Sequence, residues 1–170
     1  MVGQEKRATD RDLARRLAEE IGRLTAGRER PARFMEVCGT HTVAIFRAGL
    51  RQILPPSVEL VSGPGCPVCV TPDSYIDTAL AYAREPDVIL TTFGDMLKVP
   101  GTSSSLNEAM AKGADVRIVY SPLDSLPIAA ENPAKRVIFL AVGFETTAPT
   151  IAASAIAAKR EGLKNFFLLS

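Results

Sequence analysis

A chain of 170 residues has room for one domain of ordinary size, at about 150 residues each, or for one domain and part of another. It is 46% hydrophobic and 23% charged, and its 20 Lys and Arg stand against 19 Asp and Glu, a net charge of +1. That composition belongs to a folded chain with a sizeable core, not a disordered one, and so even a charge balance gives no footing for nucleic acid or an anionic membrane surface. Residues 1–30 are polar, without the apolar segment or cleavage pattern of a secretory leader. Within them Leu13, Leu17, Ile21 and Leu24 recur at spacings of three and four, which predicts an amphipathic helix over Arg11–Leu24 and then a linker broken at Gly27 and Pro31.

Beyond the linker the pattern becomes an alternation. Short β-type runs fall at Arg33–Val37, Val58–Ser62, Val88–Thr92, Val116–Tyr120 and Val137–Val142. Helical stretches separate them at Val43–Ile53, Ser74–Arg84, Ser104–Lys112 and Thr147–Arg160, with a shorter turn over Ser125–Ala130 closed by Pro133. Strands alternating with helices predict an α/β fold, a Rossmann-like, mostly parallel sheet flanked by helices. Val137–Val142 is apolar throughout, as a strand buried on both faces must be, and is far too short to span a membrane. Lys164–Ser170 reads as one more strand, at which the chain stops, so the expectation is a truncated sheet. The organisation expected is a helix and linker over 1–30, an α/β domain carrying the cysteine loops over 31–125, and the first part of an incomplete second α/β domain over 126–170.

Three cysteines and no leader point to a reducing, cytoplasmic setting, where thiols serve as ligands or redox groups more often than as bridges. They fall in two motifs, each in a loop after a strand and before a helix: Phe34-Met-Glu-Val-Cys38-Gly-Thr-His41-Thr42 and Ser62-Gly-Pro-Gly-Cys66-Pro-Val-Cys69. A third motif, Gly143-Phe-Glu145-Thr-Thr-Ala-Pro149, takes the same kind of position. In open α/β sheets, ligands bind beyond the carboxyl ends of the strands, so the three motifs are candidates to converge there.

Cys38 is expected at a helix N-terminus, where orphan N–H groups favour the thiolate; its bland role is that of a small buried hydrophobe. Cys66-x-x-Cys69 suits a reversible disulfide or half of a metal site, and with Cys38 and His41 it makes a Cys₃His set of the kind that closes around zinc. An open metal site using fewer of these residues is the third reading. His41, the only histidine, either takes part in proton transfer or hydrogen-bonds within its loop to orient Cys38. Glu145, Thr146 and Thr147 fit a helix start with Thr146 or Thr147 as N-cap, and alternatively a polar group facing the cysteine loops. Asp95 and Lys98 share a loop that ends another strand. Neither a G-x-G-x-x-G nor a Walker A sequence occurs, and the aromatics lie within apolar runs, which leaves nucleotide and nucleic-acid binding without support.

The three motifs, in this order from Arg33 to the chain end, resemble the signatures of the HypD family, accessory proteins of [NiFe]-hydrogenase maturation. The resemblance implies a scaffold on which iron acquires the ligands of the Fe(CN)₂CO group, working with a HypC-type chaperone and a HypE-type cyanide donor. It implies Cys38 as the main iron-holding thiolate, and Cys66 and Cys69 as a redox-active pair beside the metal. His41 would support the loop, and Thr40, Thr42, Glu145, Thr146 and Thr147 would form the polar shell around the group. Longer family members continue through a second α/β half to a cysteine-rich region holding a [4Fe–4S] cluster, whose ligands this sequence does not contain. Two other functions compete: a Cys₃His zinc module for protein binding, and a general thiol–disulfide oxidoreductase using Cys66 and Cys69.

Overall fold

β-Branched and apolar runs bounded by Gly, Pro and Asp become strands wherever helices can cover them, and this chain repeats that unit six times. The computed structural model describes residues 2–170, with side chains from residue 10 onward. The chain divides into two units, Met1–Gly65 and Cys66–Ser170.

The first unit holds α1 (Val2–Leu24), β1 (Ala32–Glu36), α2 (Gly39–Arg47), α3 (Leu50–Ile53) and β2 (Val58–Ser62). β1 and β2 pair in parallel, from Ala32↔Val58 to Glu36↔Ser62. The helix expected over Val43–Ile53 is broken at Gly49, whose φ of 64° lies in the left-handed region that ends helices. The end of α1 is tied to the approach of β2 by a 2.6 Å bond between the Thr25 and Ser57 hydroxyls.

The second unit holds α4 (Pro67–Val70), α5 (Asp73–Ala83), β3 (Val88–Thr92), α6 (Leu106–Ala111), β4 (Val116–Ile118), α7 (Ser125–Glu131), β5 (Arg136–Leu140), α8 (Ala148–Arg160) and β6 (Phe166–Leu169). Three short 3₁₀ turns, Gly94–Lys98, Pro122–Asp124 and Glu145–Thr147, lie between them. The strands form one parallel sheet in the order β4-β3-β5-β6.

Alternate residues of the central strands serve opposite faces of that sheet. Val88, Leu90, Ile138 and Leu140 pack with Ile76, Ala79 and Leu80 of α5 and Leu106 of α6, whereas Ile89 and Val137 pack with Ala129 of α7. Every residue of β3 is buried, including Thr91, whose hydroxyl accepts from Ser125 Oγ at 2.9 Å. The fold class is therefore the expected one, a parallel α/β sheet covered by helices on both faces.

Strand pairing in the second unit joins elements on both sides of residue 126. β5 pairs with β3 from Val88↔Arg136 to Thr91↔Phe139, so residues beyond 126 complete the sheet that β3 begins, and β1 and β2 form a two-stranded sheet of their own. The reason lies in β3, whose uninterrupted burial demands a neighbour on each edge, while β4 reaches only Leu90–Thr92. No described helix is long and apolar enough to cross a membrane.

Candidate functional site

Both cysteine motifs leave from the carboxyl end of the β1–β2 pair. Glu36 and Ser62, the last residues of the two strands, are register partners, and the ladder runs one step further where Gly63 N–H donates to Glu36 O at 2.8 Å. A Cβ on Gly63 would stand 2.6 Å from that oxygen, so only glycine permits the approach. Arg51 of α3 spans the two strand ends, Nη2 donating to Glu36 Oε1 at 3.1 Å and to Ser62 Oγ at 2.9 Å. The Glu36 side chain is only 8% exposed, and its Oε2 is the one buried side-chain oxygen or nitrogen among the described residues without a hydrogen-bond partner. Glu36 and Ser62 lie inside the two cysteine motifs without a role read from the sequence, and Arg51 lies outside them; the local signal is a charged residue within the otherwise apolar Phe34-Met35-Glu36-Val37 run.

Two residues beyond Glu36, Cys38 stands at the N-cap of α2 in extended conformation, φ −130° and ψ 123°. Its thiol makes no capping bond, and its carbonyl accepts from Thr42 N–H at 2.9 Å and Thr42 Oγ at 3.2 Å. The half-buried sulfur is therefore free, beside first-turn N–H groups that have no partner within the helix. Thr40 and His41 are exposed on that same turn, and Thr42 is half-buried.

In the second unit Cys66 caps α4, with Pro67 in the first-turn position whose missing N–H costs nothing. Gly65 ahead of it has φ 99°, again a conformation reserved for glycine. Cys69 N–H donates to Cys66 O at 2.8 Å, Thr71 Oγ closes the turn on Pro67 O, and the two sulfurs lie 3.5 Å apart as free thiols. Val68, between them in sequence, packs on the main core with Tyr75 and Leu169, and Tyr75 OH donates to Leu169 O at 2.6 Å. Burial pushes the Tyr75 phenol up to about 12, against a smaller opposing pull from the Ala141 backbone N–H. The dithiol turn thus rests on the core, and the α5 helix that follows it is fixed to the carboxyl ends of β5 and β6.

The strand order reverses between β3 and β5, the crevice position of open α/β sheets, and the Gly143–Pro149 motif leaves the β5 side of it. Glu145 and Thr146 are exposed there. Thr147 holds the N-cap position of α8 but makes no side-chain capping bond, so the capping role expected of Thr146 or Thr147 is not taken up by a hydroxyl. Its side chain instead lies over Gly143, where a Cβ would come within 2.6 Å of Thr147 Cβ. Asp95 and Lys98 are exposed on the turn after β3, anchored by buried Met96 and Leu97.

The structure thus brings Cys66 and Cys69 into contact and puts Cys38, Thr40, His41 and Thr42 on one helical turn. The Cys₃His set draws on both units and is a feature of neither. Among the described residues no group of three or more His, Cys, Asp and Glu is gathered as a metal site. A cavity of about 700 Å³ lies at the amino ends of the strands, lined by Arg84, Ser103, Lys112, Asp115 and Lys135 and none of the motif residues.

A parallel α/β protein with two thiol motifs, one of them a contacting pair, is the class that fold and site define. The chain belongs to the HypD family: the family model described as hydrogenase formation hypA family matches residues 12–170. It is 53% identical over 155 residues to the hydrogenase maturation factor HypD of Escherichia coli K12, covering 91% of this chain and 42% of that protein. The HypD of Rhodobacter capsulatus is 50% identical over 151 residues, 89% of this chain and 39% of that protein. The hydrogenase expression/formation protein HupD of Azotobacter chroococcum is 52% identical over 160 residues, 94% and 41% of the two chains. The chain spans about two fifths of the length of these relatives.

Proposed function

We propose that this chain is the iron-holding part of a hydrogenase maturation scaffold, on which an iron ion, carried as substrate, receives the cyanide and carbonyl ligands of the Fe(CN)₂CO group. The observation that carries the reading is the departure of both cysteine motifs from the register pair Glu36↔Ser62, one with a single uncommitted thiol and the other with a contacting pair. A soft thiolate suits low-valent iron with π-accepting ligands, and one thiolate leaves positions open for them, which a closed Cys₃His zinc site would not. Cys38 holds the metal, and His41 with Thr40 and Thr42 shapes the turn that presents it.

Cys66 and Cys69 have the other task. Closing their disulfide releases two electrons and two protons, and the acceptor in this reading is the ligand precursor delivered to the iron. Either sulfur also serves as a transient metal ligand before the bridge closes. Glu145, Thr146 and Thr147 supply the polar surroundings. The partners are a HypC-type chaperone contributing a further cysteine to the iron and a HypE-type cyanide donor, in the cytoplasm, where the three thiols stay reduced. The [4Fe–4S] cluster of the longer family members has no assigned ligand in this chain.

Iron content after anaerobic co-purification with the HypC-type partner tests this. About one iron per complex is expected, lost in Cys38→Ala and retained in Cys66→Ser/Cys69→Ser; iron unaffected by Cys38→Ala overturns the assignment. The 3.5 Å thiol pair also favours a second reading, general disulfide reduction, which predicts turnover on unrelated protein disulfides independent of Cys38.

A further inference from the structure

A carboxylate buried beside a single arginine contributes little to stability, because desolvation consumes most of what the ion pair returns; similar-sized apolar residues often do as well or better. Glu36 is a poor bargain even by that standard. It is almost wholly buried, its contact with Arg51 is a single 3.1 Å bond, and Oε2 has no partner. An apolar residue would end β1 more cheaply. What it could not do is hold Arg51 in place across the strand ends, where the same Nη2 also reaches Ser62 Oγ.

That clasp lies at the root of the thiol site. In an extended chain residues i and i+2 project to the same face, and both Glu36 and Cys38 are extended, so the clasped carboxylate is the last fixed side chain before the sulfur on its own side of the strand. On the partner strand, Ser62 is the last residue before the Gly63–Gly65 loop, which Gly63 zips to the Glu36 carbonyl. Core packing does little of this work in the first unit. Ala18 is its only buried apolar residue among those described, and Phe34, Met35 and Val37 around Glu36 are all exposed.

We propose that Glu36 and Arg51 are positioning residues for Cys38, a polar clasp that fixes the exits of β1 and β2 and so the place at which the thiolate meets its metal. This rests on the assignment of Cys38 as the metal-holding thiolate, and it gives a role to Glu36, inside the first cysteine motif, and to Arg51, outside every motif. The clasp acts through Cys38 and does not itself touch the metal.

The test uses cobalt(II) as the probe, titrated anaerobically into the whole chain in a Cys66→Ser/Cys69→Ser background, so that the near-ultraviolet thiolate-to-cobalt band reports Cys38 alone. Glu36→Met, which keeps length and burial but gives Arg51 nothing to hold, is expected to leave the melting temperature unchanged or raised. It should weaken cobalt binding by about 10- to 100-fold, the range typical of partners that orient metal ligands. Glu36→Gln retains an acceptor for Arg51 and should stay within about threefold of the parent by the same scale. A parental band with unchanged affinity in Glu36→Met overturns the clasp and leaves the Cys38 assignment standing. A parent without a thiolate band, or a band that survives Cys38→Ala, overturns that assignment and the clasp with it. A melting temperature that falls in Glu36→Met with unchanged affinity marks a purely structural ion pair and also overturns it.

Discussion

The two halves of this chain use one grammar, parallel strands joined by helices, to opposite degrees of finish. β3 in the second unit is buried at every position, whereas β1 in the first has three of its five residues exposed. The dithiol of Cys66 and Cys69 accordingly rests on a packed core through Val68, while Cys38 is held by backbone ladders, a glycine close approach and the Glu36–Arg51–Ser62 clasp. The difference teaches where each site is vulnerable: apolar substitutions threaten the pair, and polar or backbone substitutions threaten the single thiol.

The largest effect that would break this comparison is in the second unit. Phe139, fully buried on β5 and in edge-to-face contact with Phe93 at 5.4 Å, should cost about 3–5 kcal/mol on replacement by alanine. Phe46→Ala in the first unit, at a position 78% exposed, should stay within about 0.5 kcal/mol. Urea unfolding of both variants decides it, and similar losses would mean that the first unit has a core of its own.

Next comes Gly63→Ala, whose new methyl meets the Glu36 carbonyl and must part the strand exits, at about 1–3 kcal/mol by the scale of overpacking. Hydrogen exchange should accelerate at the residue-63 amide while the β3–β5 ladder keeps its protection. Tyr75→Phe is smaller, about 1 kcal/mol for one hydrogen bond to Leu169. Because the folded phenol sits at about 12, above its unfolded value, stability should be level below about pH 10 and fall as pH rises toward 12. Tyr75→Phe should flatten that alkaline limb in a pH series of urea midpoints.

The smallest effect concerns acid. Arg117, hydrogen-bonded to Asp115 at 2.8 and 3.0 Å, and then Lys135 hold the Asp115 carboxyl below the usual carboxylate range, against a partial burial that raises it. A lowered folded value means stability present above the unfolded carboxylate range and lost as pH falls through the folded one. Asp115→Asn should therefore shallow the acid limb of unfolding between about pH 5 and pH 2. An unchanged limb would show that this surface network contributes nothing.

Much of the fold is legible in local sequence. Val58–Ser62 and Val88–Thr92 are strands over the very spans their apolar runs suggest, and α5 lies within one residue of Ser74–Arg84 at each end. What escapes is what depends on register and on a single dihedral angle. Gly49 splits the helix because its φ is positive, which composition does not reveal. Glu36, Arg51 and Ser62 meet only because β1 and β2 pair at a particular offset, a long-range fact that no motif encodes. The same holds for the sheet, since nothing local says that β5 returns to the free edge of β3. Of the site, the two thiol motifs can be read directly, whereas the supports beneath them cannot.

The central claim is a division of labour, one thiol holding iron and two exchanging electrons. Infrared spectroscopy of the anaerobic complex with the HypC-type partner, assembled with its cyanide donor, tests it most directly. The account predicts iron-bound cyanide and carbonyl bands in the parent, none in Cys38→Ala because the iron itself is lost, and none in Cys66→Ser/Cys69→Ser although iron remains. Full-intensity bands in the Cys66→Ser/Cys69→Ser variant would contradict it.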